Sequence, residues 1–179
     1  VRFEETAIVG AYRLRLNAQP DERGFFARTF CERSFAERGL LTRFPQQNLS
    51  RNARAGTLRG LHLQVAPHGE VKVVRCVRGA IFDVAVDLRP GSPSYLRWAG
   101  LTLDAETGDA FYIPEGCAHG FVTLADESDV FYLMGAAYAP DAARSYRWND
   151  PAFGIVWPRE PAVISDRDRD LPDFDGPRP

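Results

Sequence analysis

Lysine is almost missing from this chain: 21 of its 22 basic residues are arginine, and Lys72 is the single exception. A surplus of positive charge is missing too, since 22 Lys and Arg stand against 24 Asp and Glu for a formal net charge of -2. Chains that hold nucleic acid or an anionic membrane by charge need the opposite balance, which excludes polyanion binding as the main role. No apolar run approaches the ~20 residues of a membrane-crossing helix; Ile81-Phe82 and Val84-Ala85-Val86 are short and separated by Asp83. The opening Val1-Arg2-Phe3-Glu4-Glu5 is acidic and without an apolar h-region, so a cytoplasmic chain is expected. Cysteine is scarce: Cys31, Cys76 and Cys117 are odd in number and form no C-x-x-C, which argues for reduced thiols and against a zinc ribbon or dithiol site. The G-x-S-x-G elbow, the Walker loop and G-x-G-x-x-G are all absent, so nucleophilic hydrolysis, phosphoryl transfer and nicotinamide chemistry lose support.

What is present is an ordinary soluble balance, 45% hydrophobic and 26% charged over 179 residues, the size of one domain. Short β-rich runs recur at 7–16, 57–65, 71–77, 81–88, 95–103, 109–113, 119–124 and 129–134. Gly- and Pro-containing turns such as Arg89-Pro90-Gly91-Ser92-Pro93 and Pro114-Glu115-Gly116 separate them. This spacing predicts an antiparallel sandwich or barrel. Helical periodicity is confined to about 32–39, ended by Gly39. The segment from Tyr138 onward is expected to wrap the barrel as short turns or helices, and Asp173 to Pro179 to fray.

In a strand, alternate side chains share a face. Lys72 thus points with Val74 and Cys76, Asp83 with Ala85 and Asp87, and His62 with Gly60 and Gln64. Polar groups in apolar strands are costly unless paired or facing a cavity, so three such strands predict a barrel whose interior is a site. In a chain that uses arginine for generic charge, the one lysine marks a place for a compact ammonium.

Gly56-Thr57-Leu58-Arg59-Gly60-Leu61-His62 and Gly108 through His119, the latter with G-x5-P-x-G-x-x-H spacing, resemble the two signature segments of the cupin superfamily. That resemblance implies an all-β, cupin-type jelly-roll barrel with short peripheral helices. Metal-binding cupins carry H-x-H and a nearby Glu in the first segment. Here Gln64 replaces the second His and Glu70 comes one residue late, so a metal-free site is expected. A metal-dependent isomerase or dioxygenase using His62, His119 and His68 or Glu70 is the alternative. Imidazole, ammonium and the phenol of Tyr132 together suit proton transfer at carbon beside a carbonyl.

Asp21-Glu22-Arg23-Gly24-Phe25-Phe26, Gln46 with Asn48, Leu58-Arg59-Gly60-Leu61-His62, Phe82-Asp83-Val84-Ala85-Val86-Asp87, Ile113-Pro114-Glu115-Gly116-Cys117-Ala118-His119-Gly120-Phe121 and Trp148-Asn149-Asp150 together resemble the dTDP-4-dehydrorhamnose 3,5-epimerase family. The likeness runs from about residue 5 to residue 170, within a single epimerase domain over 1–179. It implies inversion of C3 and/or C5 of a nucleotide-linked 4-keto-6-deoxyhexose, with no cofactor because no redox change occurs. By the same resemblance His62 is the base, Asp168 its carboxylate partner, Lys72 the enolate stabiliser and Tyr132 the acid. His119 binds the sugar, and Arg23, Phe26, Gln46, Asn48, Arg59 and Arg167 bind the remainder of the nucleotide sugar. A homodimer is implied, in which Arg23 and Phe26 serve the neighbouring site. Arg59 and His62 fall on opposite faces of an ideal strand, which a bulge near Gly60 would resolve. The sequence departs from the family at Arg28, Leu49, Leu133, Ala137 and Ala143, changes that bear on nucleotide recognition and leave the chemistry intact. A non-catalytic sugar-nucleotide binding protein is a second alternative.

Overall fold

The computed structural model describes residues 1–176. Its strands are β1 (Arg2–Glu5), β2 (Tyr12–Arg15), β3 (Gln19–Asp21), β4 (Gly24–Phe26), β5 (Gln46–Asn52), β6 (Leu58–Gln64), β7 (Lys72–Arg78), β8 (Ala80–Asp87), β9 (Trp98–Asp104), β10 (Ala110–Ile113), β11 (Cys117–Thr123), β12 (Ser128–Met134) and β13 (Ala143–Ser145). Two short helices, α1 (Glu32–Ala36) and α2 (Asp166–Arg169), are peripheral. A six-stranded sheet runs β1-β2-β10-β7-β12-β5 and a five-stranded sheet β13-β6-β11-β8-β9, with β3-β4 a separate hairpin. The strand pairs within these sheets are antiparallel, and the crossings between sheets make the jelly roll that the two signature segments imply.

Alternation decides what lies between the sheets. Val74 and Cys76 of β7, Ile81 and Ala85 of β8, Phe111 and Ile113 of β10, Phe121 of β11 and Val130 of β12 meet in the central core. Burying a large apolar side chain stabilises by roughly 1.5–3 kcal/mol. The opposite face of the five-stranded sheet, through Leu61, Leu63, Val84, Val86 and Ala118, is covered by Tyr146, Phe153, Trp157 and Phe174. Residues after Tyr138 therefore do wrap the barrel. Fraying does not begin at Asp173: Phe174 stacks near Tyr146 and Phe153 and its N–H donates to Asp150. Residues 177–179 lie outside the described residues.

Three further differences have local causes. The run at 7–16 is a strand only over Tyr12–Arg15, because Thr6 accepts from the Ile8 N–H and Gly10 turns the chain at φ +81°. The helix at 32–39 is shorter, Glu32–Ala36, and closes through Gly39 at φ +66°. Strand β5 has no apolar alternation, since Gln46, Asn48 and Ser50 line a cavity instead of the core. All three cysteines are free.

Candidate active site

Between the sheets, at one end of the apolar core, lies a cavity of about 560 Å³. The five-stranded sheet lends it Arg59, His62, Gln64 and His119, and the six-stranded sheet lends it Gln46, Asn48, Lys72 and Tyr132. Asp168 and Arg167 close its rim from α2. Arg59 and His62 reach the same space because β6 is bulged. His62 pairs with His119 and Arg59 with Phe121, so three steps on β6 match two on β11. Gly60 makes this possible at φ +133°, where a Cβ would collide with Gly120 and stand 3.0 Å from the His119 carbonyl oxygen.

The His62 Nε2 lies 2.8 Å from Asp168 Oδ1. Asp168 is buried in the first turn of α2, capped by Ser165, and its Oδ2 accepts the Gly60 N–H at 3.3 Å. Burial pushes the Asp168 carboxyl up, but hydrogen bonds from His62, Gly60 and Ser165 outweigh it and hold the group below its ordinary range. A carboxylate at Nε2 fixes the ring and leaves Nδ1 as the nitrogen available to take a proton. The His62 side chain is 42% exposed, so the imidazole is accessible while its partner is not.

A second imidazole–carboxylate couple stands behind it. His119 Nε2 meets Asp83 Oδ1 at 2.7 Å, and both side chains are buried. Burial pushes the Asp83 carboxyl upward, against the opposing pull of His119 and Lys72. The Tyr132 ring stands edge-on to His119 with centroids 5.9 Å apart. Burial, reinforced by Asp83 and opposed by Arg59, drives its phenol far above the usual tyrosine range. Tyr132 therefore keeps its proton through neutral pH.

Lys72 is inside, as its solitary status predicts. Its Nζ forms an ion pair with Glu70 Oε1 at 2.8 Å and donates to the His62 carbonyl at 3.1 Å. Arg59 donates to Asn52 at 2.8 Å across the sheet gap, Gln46 donates to Asn48 at 3.1 Å, and Arg167 approaches the Ser145 hydroxyl at 3.5 Å. The cavity thus combines an accessible imidazole, an ammonium, a phenol and a rim of amides and guanidinium groups suited to phosphate oxygens.

Arg23 and Phe26 are not brought to this cavity within one chain. They sit on the β3-β4 hairpin, where Arg23 pairs with Asp21 and Phe26 is 78% exposed. His68 is exposed and does not line the cavity. Asp87 shares the inward face with Asp83 but is taken by Arg89, Ser92 and Ser94, away from the site. Among the described residues no three His, Cys, Asp or Glu side chains are grouped to hold a metal ion. Of the departures from the family pattern, Leu49 and Ala143 line the cavity, while the Ala137 carbonyl accepts from Gln64. The sequence reading missed the pairing of Glu70 with Lys72 and that of Asp83 with His119. A carboxylate two residues before the lone lysine, and an Asp in an apolar strand, were the available signals.

The family model described as dTDP-4-dehydrorhamnose 3,5-epimerase matches residues 5–176. A dTDP-4-dehydrorhamnose 3,5-epimerase of Methanothermobacter thermautotrophicus is 46% identical over 172 residues, covering 94% of this chain and 91% of the relative. The crystal structure of a dTDP-4-dehydrorhamnose 3,5-epimerase from Bacillus anthracis with TDP and PPi bound superposes with a TM-score of 0.92. It is 37% identical, with 97% and 99% of the two chains covered. A 3′-monoepimerase from Streptomyces bikiniensis in complex with dTDP-quinovose gives a TM-score of 0.85 at 37% identity, covering 93% of this chain and 84% of that one. With barrel, cavity and sequence in agreement over nearly the whole length, the chain belongs to the dTDP-4-dehydrorhamnose 3,5-epimerase family and is an isomerase.

Proposed function

We propose that this protein inverts C3 and/or C5 of a nucleotide-diphosphate-linked 4-keto-6-deoxyhexose, of the dTDP-4-keto-6-deoxyglucose type, with His62 and Tyr132 working from opposite walls. The observation that carries the reading is the convergence of His62 with Asp168, Lys72 and Tyr132 on one cavity, the imidazole from the five-stranded sheet and the phenol from the six-stranded sheet.

A hydrogen on C3 or C5 is acidified by the neighbouring C4 ketone. His62 takes that proton on Nδ1, the C–H electron pair moves into the C3–C4 or C4–C5 bond, and the ketone oxygen becomes an enolate. Asp168 supports the imidazolium that forms. Lys72 stabilises the enolate oxygen where charge develops. Tyr132 then returns a proton to the other face of the carbon; the phenolate is reprotonated from solvent, and the His62 imidazolium releases its proton to solvent. Bonds made and broken balance without electron transfer, so the reaction calls for no redox cofactor. His119 binds the sugar; Gln46, Asn48, Arg59 and Arg167 hold the nucleotide diphosphate.

Arg23 and Phe26 act in a homodimer, each hairpin reaching the other copy's cavity. Their exposure and distance from their own cavity support this arrangement. The protein works in the cytoplasm, in keeping with its three free thiols. No helix among the described residues is long and apolar enough to cross a membrane. The test is a panel of dTDP-, UDP-, CDP- and GDP-linked 4-keto-6-deoxy sugars incubated in heavy water. Deuterium at C3, C5 or both, with inversion, is expected on at least the dTDP sugar. Binding without exchange on every sugar would instead indicate a non-catalytic binding protein.

A further inference from the structure

The one lysine of the chain is held by a carboxylate to which no role has been given. Glu70 lies two residues before Lys72, in the turn between β6 and β7, and its side chain is only 8% exposed. A buried carboxylate is costly unless it is paired, and here its partner is the ammonium assigned to the enolate. Glu70 is itself fixed by the turn. His68 N–H donates to the Val65 carbonyl, Gln64 donates to the His68 carbonyl at 2.9 Å, and Gly69 is packed directly against the Glu115 side chain.

We infer that Glu70 is a positioning residue: it anchors Lys72 so that the ammonium is held toward the ketone oxygen and at a fixed distance from the base. An ammonium carries three donors. One contact goes to Glu70 Oε1, one to the His62 carbonyl, and the side chain lines the cavity, which leaves capacity for an acceptor on the substrate. Because the second contact is to the backbone of His62, the same anchor sets cation against base. Asp83 is a further carboxylate within electrostatic reach of Lys72; its Oδ1 is engaged by His119, and its buried Oδ2 has no hydrogen-bond partner, so the ammonium is bonded to Glu70 and not to Asp83. Without Glu70 a flexible four-carbon stem is held by one neutral acceptor, and a displacement of the cation by about 1 Å is enough to cost catalysis heavily.

This inference rests on the epimerase reading above, and its test separates the two. Since Lys72 is the only lysine, protein made with [ε-13C]lysine and a lysine-free tag gives one ε-methylene signal. The expected result is two inequivalent ε protons in the parent and in Glu70→Gln, which keeps an oxygen acceptor of the same shape, but a single averaged signal in Glu70→Ala. In epimerisation assays Glu70→Ala loses ~10–100-fold in kcat with KM within about threefold, and Glu70→Gln recovers a large part of it. An unchanged lysine signal in folded Glu70→Ala overturns the anchor. A changed signal with full kcat overturns its catalytic importance, as does a Glu70→Gln no better than Glu70→Ala. If the parent protein exchanges no substrate hydrogen, it is the epimerase reading that fails, and the lysine signal alone decides the anchor.

Discussion

At the scale of single residues the site is a set of carboxylates that tell other groups where to stand. Asp168 shows this most plainly. Asp168→Asn keeps the shape but loses the negative partner of the imidazolium, and kcat is expected to fall ~10²–10³-fold with little change in KM, measured by steady-state kinetics. Near-parental kcat would remove Asp168 from the mechanism. Lys72→Arg keeps the charge but brings a larger planar head and loses the fit to Glu70 and the His62 carbonyl. Most activity should be lost, at least ~10-fold, and normal turnover in the Lys72→Arg variant would contradict the placement. Much of this was legible beforehand. The lone lysine in an apolar strand, the Asp in Phe82-Asp83-Val84 and the two spaced histidines all announced an interior site. The His62–Asp168 pair, 106 residues apart in sequence, was legible only through the family resemblance, and the two side chains do meet in the structure. The partners of Glu70 and Asp83 were not legible, because Glu70–Lys72 turns on a loop conformation and Asp83–His119 on the register of two strands.

At the scale of elements, strand β6 and the end of β8 carry the most information. The conflict between Arg59 and His62 in an ideal strand correctly signalled a bulge, and its position follows from the one residue that tolerates the contact with Gly120. Gly60→Ala should cost about 3 kcal/mol and reduce activity further by turning Arg59 or His62 out of the cavity; an unaltered urea midpoint and activity would refute this. The polar β5 escaped notice because its inward side chains face the cavity, where apolar alternation has no cause to appear.

Asp87, at the end of β8, organises the loop at 89–94. Burial raises its carboxyl, but donors from Arg89, Ser92 and Ser94 prevail and lower it to about 2. A depressed folded value stabilises above the unfolded range near 4, and that contribution is lost as pH falls toward about 2. Urea unfolding at pH 5 and pH 2 should show about 2 kcal/mol of this acid loss missing in Asp87→Asn. Parallel profiles would show that Asp87 is not the titrating group.

At the scale of the whole molecule, the facing sheets explain why a jelly roll suits inversion. On the proposed mechanism a sugar ring held between them would meet the His62 imidazole of one sheet and the Tyr132 phenol of the other. The exposed β3-β4 hairpin pairs with neither of the two larger sheets. If it completes a second copy's site, co-expressing Arg23→Ala with His62→Ala should restore about a quarter of parental activity, as two-fold pairing of complementary defects requires; no recovery would confine Arg23 to a surface role.

The central claim is that base and acid are separate and stand on opposite walls, and solvent exchange during turnover in heavy water tests it directly. Tyr132→Phe should still place deuterium at the reacting carbon with its starting configuration, since His62 can return what it takes, while forming almost no inverted product. His62→Ala should do neither. Inversion at the parental rate in Tyr132→Phe, or undiminished exchange in folded His62→Ala, would contradict the account.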